Sequence, residues 1–399
     1  AKALHWYTKA AEQGFAAAQY GLAYMYHKGE GVPEDHARAI KWYLKAAEQG
    51  NLASQFQLAY MYHKGDGVPM DYAEAIKWYA KAAEQDHSSA MYNLGLMYRY
   101  GQGVPKDSAK AIGWYTKAAD QGLAAAQYGL AYMYHKGEEV PVDHAKALRW
   151  YSKAAEQGLP GAQYGLASMY HQGEVVPKDY AKALKWYLRA AEQGHSSARY
   201  TLGRMYDEGE GVPKDNAKAM KWYTEAAEQG NAGAQYSLGY MYDQGEGVPK
   251  DYAEAIKWYT KAAEQGTVDA QYALGLMYRF GYGVAKDDAK AIKWYTKAAE
   301  QGFARAQYNL GYMYDEGAGA PKDHAEAIKW YTKAAEQELA VAQYNLGYMY
   351  YNGEGVTKGY VEAFKWHSKA AEHGHAGAQA FIGVMYGNGD GVTRDFVLA

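Results

Sequence analysis

The chain has 399 residues, no cysteine and a formal net charge of −3. These values exclude a disulfide framework, thiolate metal sites and a field that would attract polyanions, so nucleic acid is not an expected partner. No apolar run approaches the roughly 18 residues of a membrane span, and no signal peptide is visible.

In chain order, the opening residues Ala1, Lys2, Ala3, Leu4, His5, Trp6 and Tyr7 read as the middle of a helix, so the natural N-terminus is expected to lie upstream. Trp6 is then the first of eleven tryptophans, followed by Trp42, Trp78, Trp114, Trp150, Trp186, Trp222, Trp258, Trp294, Trp330 and Trp366. Every gap is 36 residues, the signature of a repeat array rather than of separate globular domains. With Phe15 as position 1, residues 1–14 are a partial repeat, residues 15–374 are ten complete repeats, and residues 375–399 are the first 25 positions of another.

Each unit reads as two helices. In the first, Ala304, Tyr308, Leu310, Gly311 and Met313 recur at helical spacing. It is expected to stop at a glycine that fills position 15 of all eleven units (Gly29, Gly65, Gly101 onward), because glycine enters the left-handed region without a Cβ penalty. After a short loop, an aspartate (Asp35, Asp71, Asp107 and their equivalents, replaced only by Gly359) is placed to cap the second helix. Glutamate three residues later, at Glu74, Glu254 and Glu326, predicts a capping box. Position 9 is always glycine or alanine (Ala23, Gly95, Gly203), which predicts close helix approach. The tryptophan and the tyrosine beside it are expected to fill the space between helix pairs. One pair cannot bury such a face alone, so stacking is required.

These residues carry a resemblance. The run Ala-Gln-Tyr-x-Leu-Gly-x-Met-Tyr-x-x-Gly-x-Gly-Val-Pro-Lys-Asp, followed by Lys-Trp-Tyr-x-Lys-Ala-Ala-Glu-Gln-Gly, resembles the Sel-1-like repeat, a relative of the tetratricopeptide repeat. The likeness covers essentially the whole chain. It implies an all-α, right-handed α/α superhelical solenoid of 36-residue two-helix repeats whose first helices line a concave face. It also implies a non-catalytic scaffold or adaptor that binds a protein or peptide, in a family common in bacteria. The compartment stays open between cytoplasm and an exported or periplasmic location.

By analogy with tetratricopeptide grooves, positions 3, 7, 10, 13 and 14 are expected to be exposed on the concave face. Position 10 gives a row of Tyr24, Tyr60, Tyr132, Tyr240, Tyr312 and Tyr348. These rings either cover helix joints or offer stacking area and hydroxyls to a peptide or a glycan. Positions 13 and 14 are basic in the early repeats, at His27, Lys28, His63, Lys64, Arg99, His135 and Lys136. They are mostly acidic later, at Asp207, Glu208, Asp243, Asp315 and Glu316. Such a split reads as a dipole that orients a partner, or as a relic of repeat duplication. Asn93, Asn309 and Asn345 stand at position 7, where an amide can hold a peptide backbone.

Two other functional readings arise. One is an exported module that binds glycans or host glycoproteins. The other is head-to-tail self-association, since the two partial repeats at the ends complement one another. Catalysis is not expected, because no unit breaks the repeat symmetry with a nucleophile, base and acid of its own. No cofactor or metal is expected either. The position-13 histidines are at least 36 residues apart in sequence and roughly 10 Å apart in space, too far to share one zinc ion.

Overall fold

The computed structural model describes residues 2–395, and among them it contains 22 α-helices and no strand. The first complete repeat consists of Ala16–Lys28 and His36–Glu48, and Leu52–Lys64 opens the next; the alternation runs to Ala376–Asn388. The helices group into two compact units, residues up to 198 and residues from 199. Each unit is an all-α solenoid in which a helix packs chiefly on its neighbours in the chain.

The helix ends follow the expected chemistry with one correction. The position-15 glycines are left-handed, from φ 66° at Gly29 to φ 80° at Gly389. The amide after the glycine also turns back, as Glu30 N–H donates to Met25 O at 3.0 Å. This six-residue closure satisfies carbonyls the helix cannot. At the second helix, Asp35 accepts from the Arg38 amide at 2.9 Å and Asp71 from the Ala73 and Glu74 amides. A cap of this kind contributes about 1 kcal/mol.

The reciprocal half of the capping box does not form. The Asp71 amide donates instead to Tyr62 O at 2.9 Å, and the same clasp recurs from Asp251 to Tyr242 and from Asp323 to Tyr314. With that amide already satisfied, Glu74 turns to Lys77 and to the indole N–H of Trp78, while Glu254 and Glu326 turn to Lys257 and Lys329.

The core is built from small residues facing one large ring. Ala39, Ala46 and Ala47 are buried around Tyr43, and the pattern repeats around Tyr79, Tyr115 and Tyr259. A Cβ added to Gly95 would lie 2.5 Å from the Tyr115 ring, so the glycine is what admits the tyrosine. Trp78, Trp150, Trp258, Trp330 and Trp366 are buried, each with the lysine one turn on folded over its ring, as in Lys81 over Trp78 at 4.4 Å.

A ladder of buried glutamines stitches repeat to repeat. Gln55 donates to Ala47 O of the preceding repeat at 3.1 Å and accepts from Gln85 at 2.7 Å. The same pair of bonds is made by Gln127 with Gln157, and by Gln235 with Gln265.

The turn that ends each second helix yields a stability prediction. Glycine usually fills position 36 with φ near 90°, but Asp86 adopts φ 62° there. A left-handed non-glycine residue is strained, and relief is partly offset by the extra chain entropy of glycine. Asp86→Gly is therefore expected to stabilise the chain by about 0.5–1 kcal/mol. Urea denaturation measures it, and an unchanged or lower midpoint would contradict the assignment of strain.

Candidate partner-binding face

Three of the tyrosine rows, at positions 29, 6 and 10, differ in burial. Position 29 (Tyr43, Tyr79, Tyr115, Tyr259, Tyr331) is fully buried, and burial pushes these phenols well above their usual pKa. Position 6 is half-buried and packs on that row, as Tyr92 does on Tyr115 with ring centroids 5.5 Å apart. Position 10 is the outermost. Tyr60, Tyr240 and Tyr348 are 39%, 42% and 42% exposed. The other three are half-buried: Tyr24 leans on Tyr20, while Tyr132 and Tyr312 lie beneath the guanidinium groups of Arg99 and Arg279 at 5.0 and 4.9 Å.

Position 13 corrects the sequence reading. His27 and His63 are not on an exposed face; they are 4% and 7% exposed. Their rings meet the core tyrosines edge-on, with Nδ1 at 3.4 Å from the hydroxyls of Tyr43 and Tyr79. Burial and the neighbouring Lys64 lower the pKa of His63.

Where the histidine or arginine has a second edge, it reaches a carboxylate at position 16 of the next repeat. His27 Nε2 lies 3.1 Å from Asp66, Arg99 Nη2 lies 2.7 Å from Glu138, and His135 Nε2 lies 3.2 Å from Glu174. The acidic counterparts are also engaged. Asp207 accepts from the Tyr223 hydroxyl at 3.3 Å, Asp315 pairs with His324 at 2.8 Å, and Asp243 is half-buried. The charges at position 13 thus act mainly inside the array. These partners lie 39 residues apart, and the signal that points to them is an acid at position 16 of the repeat after a basic position 13, which holds for Asp66, Glu138 and Glu174 but not for Gln102 after His63 or Ala318 after Arg279.

Position 14 remains outside: Lys28, Lys64, Lys136, Glu208 and Glu316 are exposed. The position-7 amides are spent within the chain. Asn93 donates to Ser89 O at 2.9 Å, Asn345 to the Tyr331 hydroxyl at 3.2 Å and Asn309 to the Tyr272 hydroxyl at 3.5 Å. In the unit from residue 199, Tyr200, Arg204, Asp207, Glu208, Tyr236 and Tyr240 surround a hollow of about 270 Å³. Its floor is aromatic and its rim is the Arg204–Glu208 ion pair at 3.0 Å.

The Sel1 repeat family matches the chain twelve times, over residues 1–15, 16–51, 52–87, 88–123, 124–159, 160–195, 196–231, 232–267, 268–303, 304–339, 340–375 and 376–399. The chain belongs to the Sel1 repeat family. Among solved structures it is similar to c5321, a protective antigen of uropathogenic Escherichia coli strains with an SLR fold. That likeness has 41% identity and a TM-score of 0.82, covering 99% of this chain and 85% of the other. It is also similar to a Sel1 repeat protein from Oxalobacter formigenes, with 36% identity and a TM-score of 0.63, covering 78% of this chain and 91% of the other. No curated protein matches it.

The Sel1 repeat is a scaffold fold of the kind used for protein–protein interaction, and proteins of the family are generally non-catalytic. Among the described residues, no helix is long and apolar enough to cross a membrane. What distinguishes this Sel1 repeat chain from a bare scaffold is its surface: three uncovered position-10 rings, one of them (Tyr60) beside the charged position-14 side chain of Lys64 on the same helix, with further charged position-14 side chains on other first helices.

Proposed function

We propose that this Sel1 repeat protein is a binding scaffold whose position-10 tyrosines hold an extended polypeptide segment. The observation that carries this reading is the contrast between the rows. The position-29 tyrosines are consumed by the core, whereas Tyr60, Tyr240 and Tyr348 leave about two fifths of their surface in water. Tyrosine supplies apolar area and a hydroxyl at low entropic cost, which suits it to contacts with peptide side chains and backbone. Charge adds selectivity. Lys28, Lys64 and Lys136 suit an acidic stretch along the unit up to residue 198, and Glu208 and Glu316 suit a basic stretch along the unit from 199.

The test uses a displayed peptide library and a glycan panel, each screened with the parent and with a Tyr60→Ser, Tyr240→Ser, Tyr348→Ser variant. Serine already stands at position 10 as Ser168, so the variant is expected to fold. Peptides selected on the parent are expected to lose about tenfold or more in affinity to the variant. Peptides that bind both proteins equally would move the site elsewhere. Capture of glycans in place of peptides would replace the polypeptide reading with a carbohydrate one.

A further inference from the structure

The contact between position 13 and position 16 of the next repeat has a third participant, position 22 at the start of the second helix. In two of the repeats with histidine at position 13 this residue is also histidine. His135, His144 and Glu174 form one such triad, and His27, His36 and Asp66 form the other. His135 and His144 come from the two helices of one repeat, and Glu174 comes from the loop of the next. His135 Nε2 lies 3.2 Å and His144 Nδ1 3.0 Å from the same oxygen, Glu174 Oε2. In the earlier triad, His27 Nε2 lies 3.1 Å from Asp66 Oδ2, and His36 Nδ1 lies 4.0 Å from Asp66 Oδ1. The paired imidazoles have centroids 5.6 Å apart in both triads, steeply inclined at 69° and 61°.

These distances match a coordination sphere. Zinc ligands sit about 2.0–2.2 Å from the metal, so two ligands of a tetrahedral site are roughly 3.3–3.5 Å apart. The ligand atoms of each triad lie within 4.8 Å of one another; three histidine–carboxylate separations, at 3.0–3.2 Å, are slightly shorter than that edge and the fourth, at 4.0 Å, is longer.

Hydrogen bonding accounts for part of each triad: His27 Nε2 meets Asp66 at 3.1 Å, His135 Nε2 meets Glu174 Oε1 at 3.4 Å, and the His36 ring also pairs through Nε2 with Glu34. His144 Nδ1, Glu174 Oε2 and His36 Nδ1 are buried and have no hydrogen-bond partner; at 3.0 Å, His144 and Glu174 are misaligned for one. Buried polar atoms are ordinarily satisfied, so three orphans converging on two equivalent places mark those places as suited to a cation. The other repeats support this. Where position 13 is Arg99, the guanidinium itself meets Glu138 and Ser108 replaces the second histidine. Where position 16 is Gln102 rather than an acid, beside His63, position 22 is Tyr72 and no such cluster forms.

We propose that the His135–His144–Glu174 and His27–His36–Asp66 triads each bind one divalent cation of the zinc class, with water as the fourth ligand. Two imidazoles and one carboxylate suit zinc and its neighbours rather than calcium or magnesium. The ion ties both helices of one repeat to the loop of the next, so it acts as a clamp between repeats. The related set Asp315, His324 and Glu354 has one imidazole and two carboxylates, a harder donor set that suits zinc less.

The test is zinc titration of the full chain after dialysis against a chelator, with bound ions counted by calorimetry and by a competing chromophoric chelator. The parent is expected to take up two ions at micromolar free zinc, and its melting temperature is expected to rise. His144→Ser and His36→Ser are each expected to remove one ion, and the double variant both. Serine occurs at this slot as Ser108, and melting of the variants in chelator shows that they fold. No uptake by the parent at micromolar zinc would overturn the proposal. Retention of both ions by the double variant would also overturn it, since the ions would then lie on other histidines.

Discussion

Acidifying the protein from about pH 7 to about pH 4.5 is expected to destabilise it, and His367→Leu is expected to remove the largest single share of that loss. His367 occupies the position-29 slot that elsewhere holds tyrosine. It is 0% exposed, and neither ring nitrogen has a hydrogen-bond partner. Phe381 lies 4.5 Å from its ring centroid and Tyr344 lies 5.3 Å away. Burial, assisted by His375, lowers its pKa to about 4.

The direction follows from where the proton goes. An unfolded histidine titrates near 6.5, so between that value and about 4 the unfolded chain holds a proton that the folded chain does not. Folding is unpenalised above pH 6.5 and loses stability as the pH falls toward 4, with a limit of about 3 kcal/mol. Leucine is close in size and removes two unsatisfied nitrogens, so His367→Leu is expected to gain about 1–3 kcal/mol at pH 7 as well. Urea denaturation at several pH values separates the two effects. An unchanged acid slope in the variant would mean that His367 is not the group responsible. A residual slope is expected from His63, His87 and His195, whose pKa values burial also lowers.

The repeat, its two helices and its stops were legible because each is a local signal. Tryptophan at a fixed 36-residue gap, glycine at position 15 and aspartate at position 21 each act within one turn of their own residue. What stayed hidden depends on contacts the period does not encode. The capping box fails because the Asp71 amide is claimed by Tyr62 O, nine residues earlier. His27 reads as a groove residue on a helical wheel, yet its partner Asp66 is 39 residues away in the next repeat. The pairing of His135 with His144 is hidden for a related reason: the period relates position-13 histidines to one another, while the residue His135 meets lies across the loop at position 22. The exposed members of the tyrosine row were identifiable as a set, but not singly. Arg99 and Arg279 cover Tyr132 and Tyr312 from the preceding repeat and leave Tyr60, Tyr240 and Tyr348 bare.

Positions 9 and 13 are coupled, and the coupling yields the second large effect. Alanine at position 9 always accompanies histidine at position 13: Ala23 with His27, Ala59 with His63, Ala131 with His135, and Ala167 with His171. Glycine at position 9 accompanies anything else, as Gly95 does Arg99 and Gly203 does Asp207. With glycine, the position-29 ring closes onto the backbone so tightly that a Cβ would lie 2.4–2.9 Å away. With alanine, the ring instead meets the imidazole edge-on, at centroid distances of 5.8–6.0 Å. Gly95→Ala alone is therefore expected to cost about 1–3 kcal/mol by forcing Tyr115 off its seat. Arg99→His alone weakens the bond to Glu138 but leaves a histidine–carboxylate contact of the kind His135 makes with Glu174. Combined, the two substitutions recreate the alanine–histidine seat, so the double variant is expected to be more stable than the sum of the singles by about 1 kcal/mol or more. Strict additivity in a denaturation cycle would mean that the two positions were copied together without being packed together.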